Sequence, residues 1–298
     1  MSRPIATRVL FDEPGPRGRA RIRVLTVLIC LVVAAGLVWS YLALSASGEL
    51  AWPKWKPFVQ QWAVWFLLDG LRGTLLVTAI AAAVSFPLGT LLAVGRAGEV
   101  SVLRWLCTLY IEVFRSVPTL LLVYVFLFAL PGLGLNLPIA GKLIVPIILI
   151  NAAVIAEIVR AGIAALDRGQ QEAAAAVGLT RGQTMRLVLL PQAIRLVVPS
   201  LVTQLVAIVK DSTIGYVVSY PELMKQANTL ANNTKLLLQS FLVVSLIYVA
   251  INFALTRLAV ALEARIGRVG SHRGRSGRSG SEQAVLEQVE LPAAVAPR

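Results

Sequence analysis

Six apolar runs dominate the pattern of hydrophobic and polar positions, at residues 24–45, 74–94, 103–130, 143–166, 190–209 and 236–262. A bilayer core of about 30 Å takes about 20 apolar helical residues to cross, and each run reaches that length. The pattern therefore predicts an all-α polytopic membrane protein with about six transmembrane helices. The first run is preceded by arginines and followed by the small residues Ser45, Ala46 and Ser47, as a cleavable signal peptide would be. Its apolar stretch exceeds the roughly 7–15 residues of such a segment, which favours a retained helix. Cleavage would leave five spans in the same orientation. The resulting map is a basic amino terminus at 1–23, an extra helix at 24–45, a transmembrane domain at 66–262 with a polar loop at 167–190, and a low-complexity tail at 263–298 expected to be disordered.

The polar loop carries EAAAAVGLTRGQTMRLVLLP, from Glu172 to Pro191. Glu172 and the four alanines after it have high helix propensity and little bulk, which predicts a short helix with a thin, smooth surface. Gly178 ends it. A second helical stretch is expected from Arg181 to Leu190, stopping at Pro191. A helix with so little apolar surface is suited to lying in a groove on a partner protein.

Composition agrees with membrane insertion: 57% of the 298 residues are hydrophobic and 14% are charged, against about 25% charged in soluble domains. The formal charge is +13, and its placement matters more than its size. Arg3, Arg8, Arg17, Arg19, Arg21 and Arg23 precede the first span; Arg96 and Arg104 lie between the second and third; Arg160, Arg168, Arg181, Arg186 and Arg195 surround the polar loop. The alternate loops hold a sparser set, Lys54, Lys56, Lys142, Lys225 and Lys235. The positive-inside rule then puts both termini and the 167–190 loop in the cytoplasm of a multi-pass cell-membrane protein. Arginines so placed meet topology and anionic headgroups, and no nucleic-acid partner is expected.

Chemistry-bearing residues are sparse. Cys30 and Cys107 fall within spans and are expected to be small apolar packers; His272 sits in the tail without a second ligand near it. No catalytic constellation, metal site, cofactor site or phosphate-binding GxxxxGK[ST] loop is expected, so any ATP, with its Mg, must be bound by another chain. Charges at membrane depth are functional-site candidates because each costs several kcal/mol unless paired or hydrated. Glu112 and Arg115, and again Glu157 and Arg160, are spaced i, i+3, so each pair can neutralise itself on one helix face, and their similar depth allows pairing across helices. Lys210 and Asp211, followed by Ser212 and Thr213 at the end of the fifth run, offer groups for a zwitterion's carboxylate and ammonium, or mark a structural break.

The loop spacing, EAA, three residues, glycine, nine residues, Val188 in place of isoleucine, one residue, then Leu190-Pro191, resembles the coupling loop of importer-type ABC permeases. The likeness extends over about 70–262: Gly73 and Thr74; Glu112, Phe114, Arg115 and Pro118; Ala156, Glu157, Arg160, Ala161 and Gly162; Pro191, Gln192, Ala193, Arg195 and Pro199; Lys210 to Thr213; Glu222 and Leu223. It is similar to the permease family for polar amino acids, whose pattern usually has glycine at Ser116 and Thr-Ser at Ser212-Thr213. This resemblance implies a type I ABC importer permease core of five helices behind one extra helix. It further implies a second permease subunit, two ATP-binding subunits docked on Glu172, Ala173, Ala174, Gly178 and Leu179, and an extracytoplasmic amino-acid-binding protein. Glu112, Arg115, Glu157, Arg160 and Lys210 to Thr213 are the candidates for the path or gate. The segment VLFDEPGPRGR before the extra span, with the long polar end, resembles the second permease of actinobacterial glutamate importers, which makes glutamate or another acidic amino acid the expected substrate. A glutamine or basic amino-acid permease, a membrane enzyme, and an ATPase-linked anchor or regulator that moves no solute are the competing readings.

Overall fold

The computed structural model describes residues 15–271, and every regular element among them is helical. The expected disordered tail at 263–298 is corrected at its start, because residues 263–271 continue α12; the remainder of the tail, with His272, lies outside the described residues. In chain order the helices are α1 (Pro16–Ala46), α2 (Trp52–Trp55), α3 (Gln61–Ala97), α4 (Ser101–Ser116), α5 (Thr119–Tyr124), α6 (Leu130–Gly132), α7 (Ile139–Ala164), α8 (Arg168–Ala176), α9 (Arg181–Gln183), α10 (Leu190–Asp211), α11 (Leu223–Thr234) and α12 (Leu237–Ser271). Five helical stretches are long and apolar enough to cross a membrane, and a bent pair makes a sixth candidate.

The chain divides into two compact units between Gln60 and Gln61. In the first, α1 begins at Pro16, so Arg19, Arg21 and Arg23 belong to the helix and not to a separate basic terminus. Its apolar residues, Leu28, Leu31, Val32 and Trp39 among them, are exposed, as on a helix apolar all round whose solvent is hydrocarbon. Cys30 is exposed there and is not a core packer.

The second unit is built on α3 and α7. The buried side of α3 is a stripe of small residues, Gly70, Gly73, Thr74, Ala81, Ser85, Gly89 and Ala93, at the three-and-four spacing of a helix face. The sequence places the start of this span at residue 74; the helix starts thirteen residues earlier, and Gly70 within this added stretch packs against Gln226 of α11. Small residues let backbones approach closely where hydrocarbon supplies no hydrophobic drive between helices. A Cβ on Gly89 would stand 2.7 Å from both the Ala152 carbonyl and the Ile155 Cβ of α7. On the same stripe Gly73 receives the Pro221–Glu222 segment leading into α11, where a Cβ would lie 2.0 Å from the Pro221 carbonyl oxygen. Two apolar clusters fill the remainder: Val77, Val123, Leu143, Ile147 and Ile208 in one, Ala93, Ile111, Ile155, Ala156 and Val159 in the other. Cys107 is buried, its Sγ 2.7 Å from where a Cβ on Gly95 would stand.

Two expectations are corrected. The run 103–130 is not one straight span: α4 and the stretch from Thr119 to Gly132 meet at 98°. Pro118 disfavours helical backbone at the residue before it, and Val117 is extended at φ −92°, ψ 127°. The helix also does not stop at Pro191. It continues from Arg181 to Tyr216, and the proline is accommodated by a π-turn over Thr184–Leu189 immediately before Leu190-Pro191. A π-turn of Val125–Ala129 likewise precedes Leu130-Pro131. In both places the wider i→i+5 turn makes room for a ring that lacks an N–H and would otherwise collide with the preceding turn.

The Gly73 approach is directly testable. Gly73→Ala must displace a backbone carbonyl and is expected to destabilise the protein by about 1–3 kcal/mol or more, read as a lowered Tm in detergent and reduced membrane abundance. Gly36→Ala, which meets nothing within 4 Å, should leave both unchanged.

Candidate functional site

One end of the second unit gathers the carboxy-terminal turns of α3 and α7, the beginning and end of α4, and the α8–α9 segment. Here Glu157 of α7, with a side chain only 17% exposed, is the hub of a charge network. It pairs with Arg96 of α3 through Oε1, accepts from Arg160 Nε through Oε2 at 2.8 Å, and lies 3.6 Å from Arg115 Nη1 of α4. Arg96 also reaches the Glu112 carboxylate at 3.2 Å. Glu157 and Arg160 therefore pair on one helix as their spacing predicts. Glu112 and Arg115 do not: Arg115 turns to Glu157 and Glu112 to Arg96. In the sequence Arg96 reads as a topological arginine; at the last turn of α3 its charge also suits the helix carboxyl end, and it bridges both carboxylates. Three guanidinium groups on two carboxylates leave the cluster one positive charge in excess.

At the far end of α10 the neighbours Lys210 and Asp211 are separated in role. Lys210 is exposed, with no ion pair among the described residues, while Asp211 accepts a hydrogen bond from Asn151 Nδ2 of α7 at 3.0 Å. Gln204 Nε2 donates to Asn151 Oδ1 at 2.6 Å, and Asn151 Nδ2 also reaches the Ile147 carbonyl. The sequence does not mark this amide–carboxylate chain across α7 and α10, because two of its three members are uncharged amides inside apolar spans. The Ser212 hydroxyl is buried and donates to the Val209 carbonyl, and the Thr213 hydroxyl donates to that of Lys210. Both serve the helix end locally, where a 3₁₀ turn of Ser212–Tyr216 continues the chain.

Beyond that turn Glu222 is fully buried. Its carboxylate caps α11 by accepting from the Met224 and Lys225 amides at 2.8 and 2.6 Å, and it accepts from Tyr248 Oη of α12 at 2.8 Å. Thr74 Oγ1 accepts from the Leu223 amide at 3.2 Å. Glu222 is thus the joint of α3, α11 and α12.

The α8 segment is defined at both ends by its sequence. Asp167 caps it by accepting from the Gly169 amide at 2.7 Å. At the other end Leu179 N–H donates to the Ala174 carbonyl and Gly178 N–H to that of Ala175. This pair of bonds is the Schellman arrangement, which needs a left-handed residue, and Gly178 takes φ +81°. Glu172, Ala173, Val177 and Gly178 are exposed, whereas Ala174 is buried and Leu179 half-buried. Thr180 and Gln183 then form a capping box that starts α9, and Gln192 Nε2 of α10 donates to Gln170 Oε1 of α8 at 3.1 Å. A short exposed helix is thereby held rigidly to a membrane-length one.

Residues 85–268 match the family described as binding-protein-dependent transport system inner membrane component. The glutamate transport system permease protein GluD of Corynebacterium glutamicum is 38% identical over 235 residues, covering 77% of this chain and 85% of that protein. The probable glutamine ABC transporter permease protein GlnM of Bacillus subtilis is 39% identical over 199 residues, covering 67% and 92%. Among solved structures, an amino acid ABC transporter crystallised with histidines superposes with a TM-score of 0.65 at 28% identity, covering 72% of this chain and 97% of that one. The chain belongs to the binding-protein-dependent inner membrane component family. Within it, it is a permease of an amino-acid ABC importer, a transport component of the membrane with an all-helical importer fold.

The charge hub predicts strong coupling. A double-mutant cycle of Arg96→Ala and Glu157→Ala, measured by thermal unfolding in detergent, should give about 1–3 kcal/mol of interaction energy, more than the cycle of Arg115 with Glu157. Additive effects in the Arg96 cycle would contradict the hub. At Gly178 the left-handed backbone makes Gly178→Ala costly by about 1–2 kcal/mol locally. It should lower the Tm in detergent more than Gly182→Ala, since neither glycine meets anything within 4 Å and only Gly178 has a left-handed backbone.

Proposed function

We propose that this chain forms the translocation path of an ATP-driven importer for glutamate or related acidic amino acids and is coupled to its motor through α8. The observation that carries the coupling is the exposed, doubly capped α8: Glu172, Ala173 and Gly178 face outward, while Ala174 and Leu179 anchor the helix to the unit. A thin helix fixed to the long α9–α10 span transmits a push or pull from whatever cradles it. ATP and its Mg bind to two separate ATPase subunits in this reading, a second permease completes the path, and an extracytoplasmic binding protein delivers the amino acid. Both termini and α8 are cytoplasmic, in keeping with Arg96, Arg104, Arg160, Arg168, Arg181 and Arg186 gathering at one end and Lys142, Lys225 and Lys235 lying in the alternate loops.

Glu112, Arg115, Glu157 and Arg160, joined by Arg96, act as a cytoplasmic-end gate in this scheme, since their ion pairs tie three helices that alternating access must move apart. Lys210, Asp211, Ser212 and Thr213 are the path candidates at the other end, with exposed Lys210 the group best suited to an anionic substrate. The acidic substrate is favoured by the 38% identity to the glutamate permease protein over the larger share of this chain. Glutamine is the second reading, favoured by the 39% identity to the probable glutamine permease.

Uptake of labelled glutamate, glutamine and arginine by the reconstituted complex distinguishes these, because the three differ in charge at similar size. Glutamate uptake with arginine excluded is expected; uptake of glutamine or arginine with glutamate ignored would overturn the substrate. Glu172→Lys should abolish uptake and ATPase copurification while leaving the permease inserted. Normal assembly and uptake in that variant would overturn the coupling role.

A further inference from the structure

A cleft of about 810 Å³ opens between the end of α3, the α3–α4 turn and the α8–α9 segment, and the importer reading leaves it without a role. Its walls are of two kinds. Leu91, Val94, Val100, Leu189 and Leu190 form an apolar trough, and Arg104, Arg181 and Arg186 stand along it. Arg181 is paired with Glu99, its Nε 3.1 Å from Oε1. Arg104 and Arg186 are exposed and have no ion-pair partner among the described residues. The apolar character continues outward, since Leu91 is 68% and Leu187 63% exposed. An inorganic phosphate would satisfy the arginines but leave the trough open to water, and an acidic protein surface would do the same. A molecule with an anionic head and a hydrocarbon chain satisfies both walls at once.

We infer that this cleft holds one anionic phospholipid, its phosphate on Arg104 and Arg186 and an acyl chain along Leu91, Val94 and Leu190. The inference rests on the orientation proposed above, which puts the cleft at the cytoplasmic headgroup level, where clustered arginines meet anionic lipid. The lipid would lie beside Gln171 of α8 and Thr184 and Met185 of the π-turn, and so brace the coupling segment from the membrane side.

The test uses the intact importer complex purified in detergent and exposed to vesicles of equal phosphatidylglycerol and phosphatidylcholine, with retained lipid counted by mass spectrometry. The native complex should retain phosphatidylglycerol over phosphatidylcholine by about tenfold or more, the scale expected of two guanidinium groups. R104Q/R186Q should bring the ratio close to that of the vesicles, and R168Q/R195Q, which removes two arginines outside the cleft, should not. V94W, which fills the trough and keeps every charge, should also abolish the preference, and it serves where R104Q/R186Q fails to assemble. Unchanged preference in R104Q/R186Q or in V94W overturns the site. Displacement of the lipid by glycerol phosphate alone marks a free-phosphate site and overturns it too. So does loss of the ATPase from R104Q/R186Q with lipid preference intact, which marks a protein-docking face. Retained uptake activity with the lipid preference lost would leave the transporter reading standing, so the two proposals fail separately.

Discussion

Hydrocarbon offers no hydrogen bonds, so every polar group placed at membrane depth must find its partner inside the protein. Much of this structure follows from that constraint. Helices carry the backbone. Side-chain hydroxyls fold back on carbonyls, as Thr78 does on Thr74 and Thr90 on Phe86. Ser85 and Tyr110 donate across helices to the Ile148 and Leu149 carbonyls of α7. The few charges are gathered where several helices can share them: Glu157 draws three arginines from three helices, and buried Glu222 is satisfied by two amides and a phenol.

The same constraint explains where the helices are irregular. A proline in a span removes a donor and pushes on the turn before it; Pro87, Pro146 and Pro199 are carried inside α3, α7 and α10, and the others leave visible irregularities. Pro118 breaks the third apolar run into two arms at 98°; π-turns precede Pro131, after which the helix ends at Gly132, and Pro191, beyond which the helix runs on. At Pro191 the result is one continuous rod from α9 through α10. In the proposed coupling, a displacement of α8 and α9 would reach Asp211 and its amide partners along this rod, without a hinge at Pro191. Glycine does the complementary work of allowing contact: Gly70 and Gly73 admit α11, Gly89 admits α7, and Gly162 meets Val197 of α10.

The membrane class, the helical fold and the family were legible in the sequence, because apolar length and the spacing of the Glu172–Pro191 segment are local patterns. So was the end of α8, since a glycine after an alanine run has a definite backbone meaning. The straight third span and the stop at Pro191 were misjudged. A proline's effect depends on whether a wider turn can be afforded at that point by the neighbouring packing, and periodicity does not report that. Arg96 and Asn151 were missed for a related reason. Arg96 becomes the bridge of Glu112 and Glu157 only when α3, α4 and α7 converge, and Asn151 links Asp211 to Gln204 across residues about fifty to sixty apart in sequence. Neither leaves a mark on its own helix.

The central claim, that α8 is the surface on which the motor acts, is most directly tested by placing a photoreactive amino acid along it in the assembled complex. Exposed Ala173 and Val177 should cross-link to the ATPase with a yield that changes on adding ATP, while buried Ala174 should not. Equal yields from all three positions, or no ATPase adduct from Ala173 and Val177, would contradict the account.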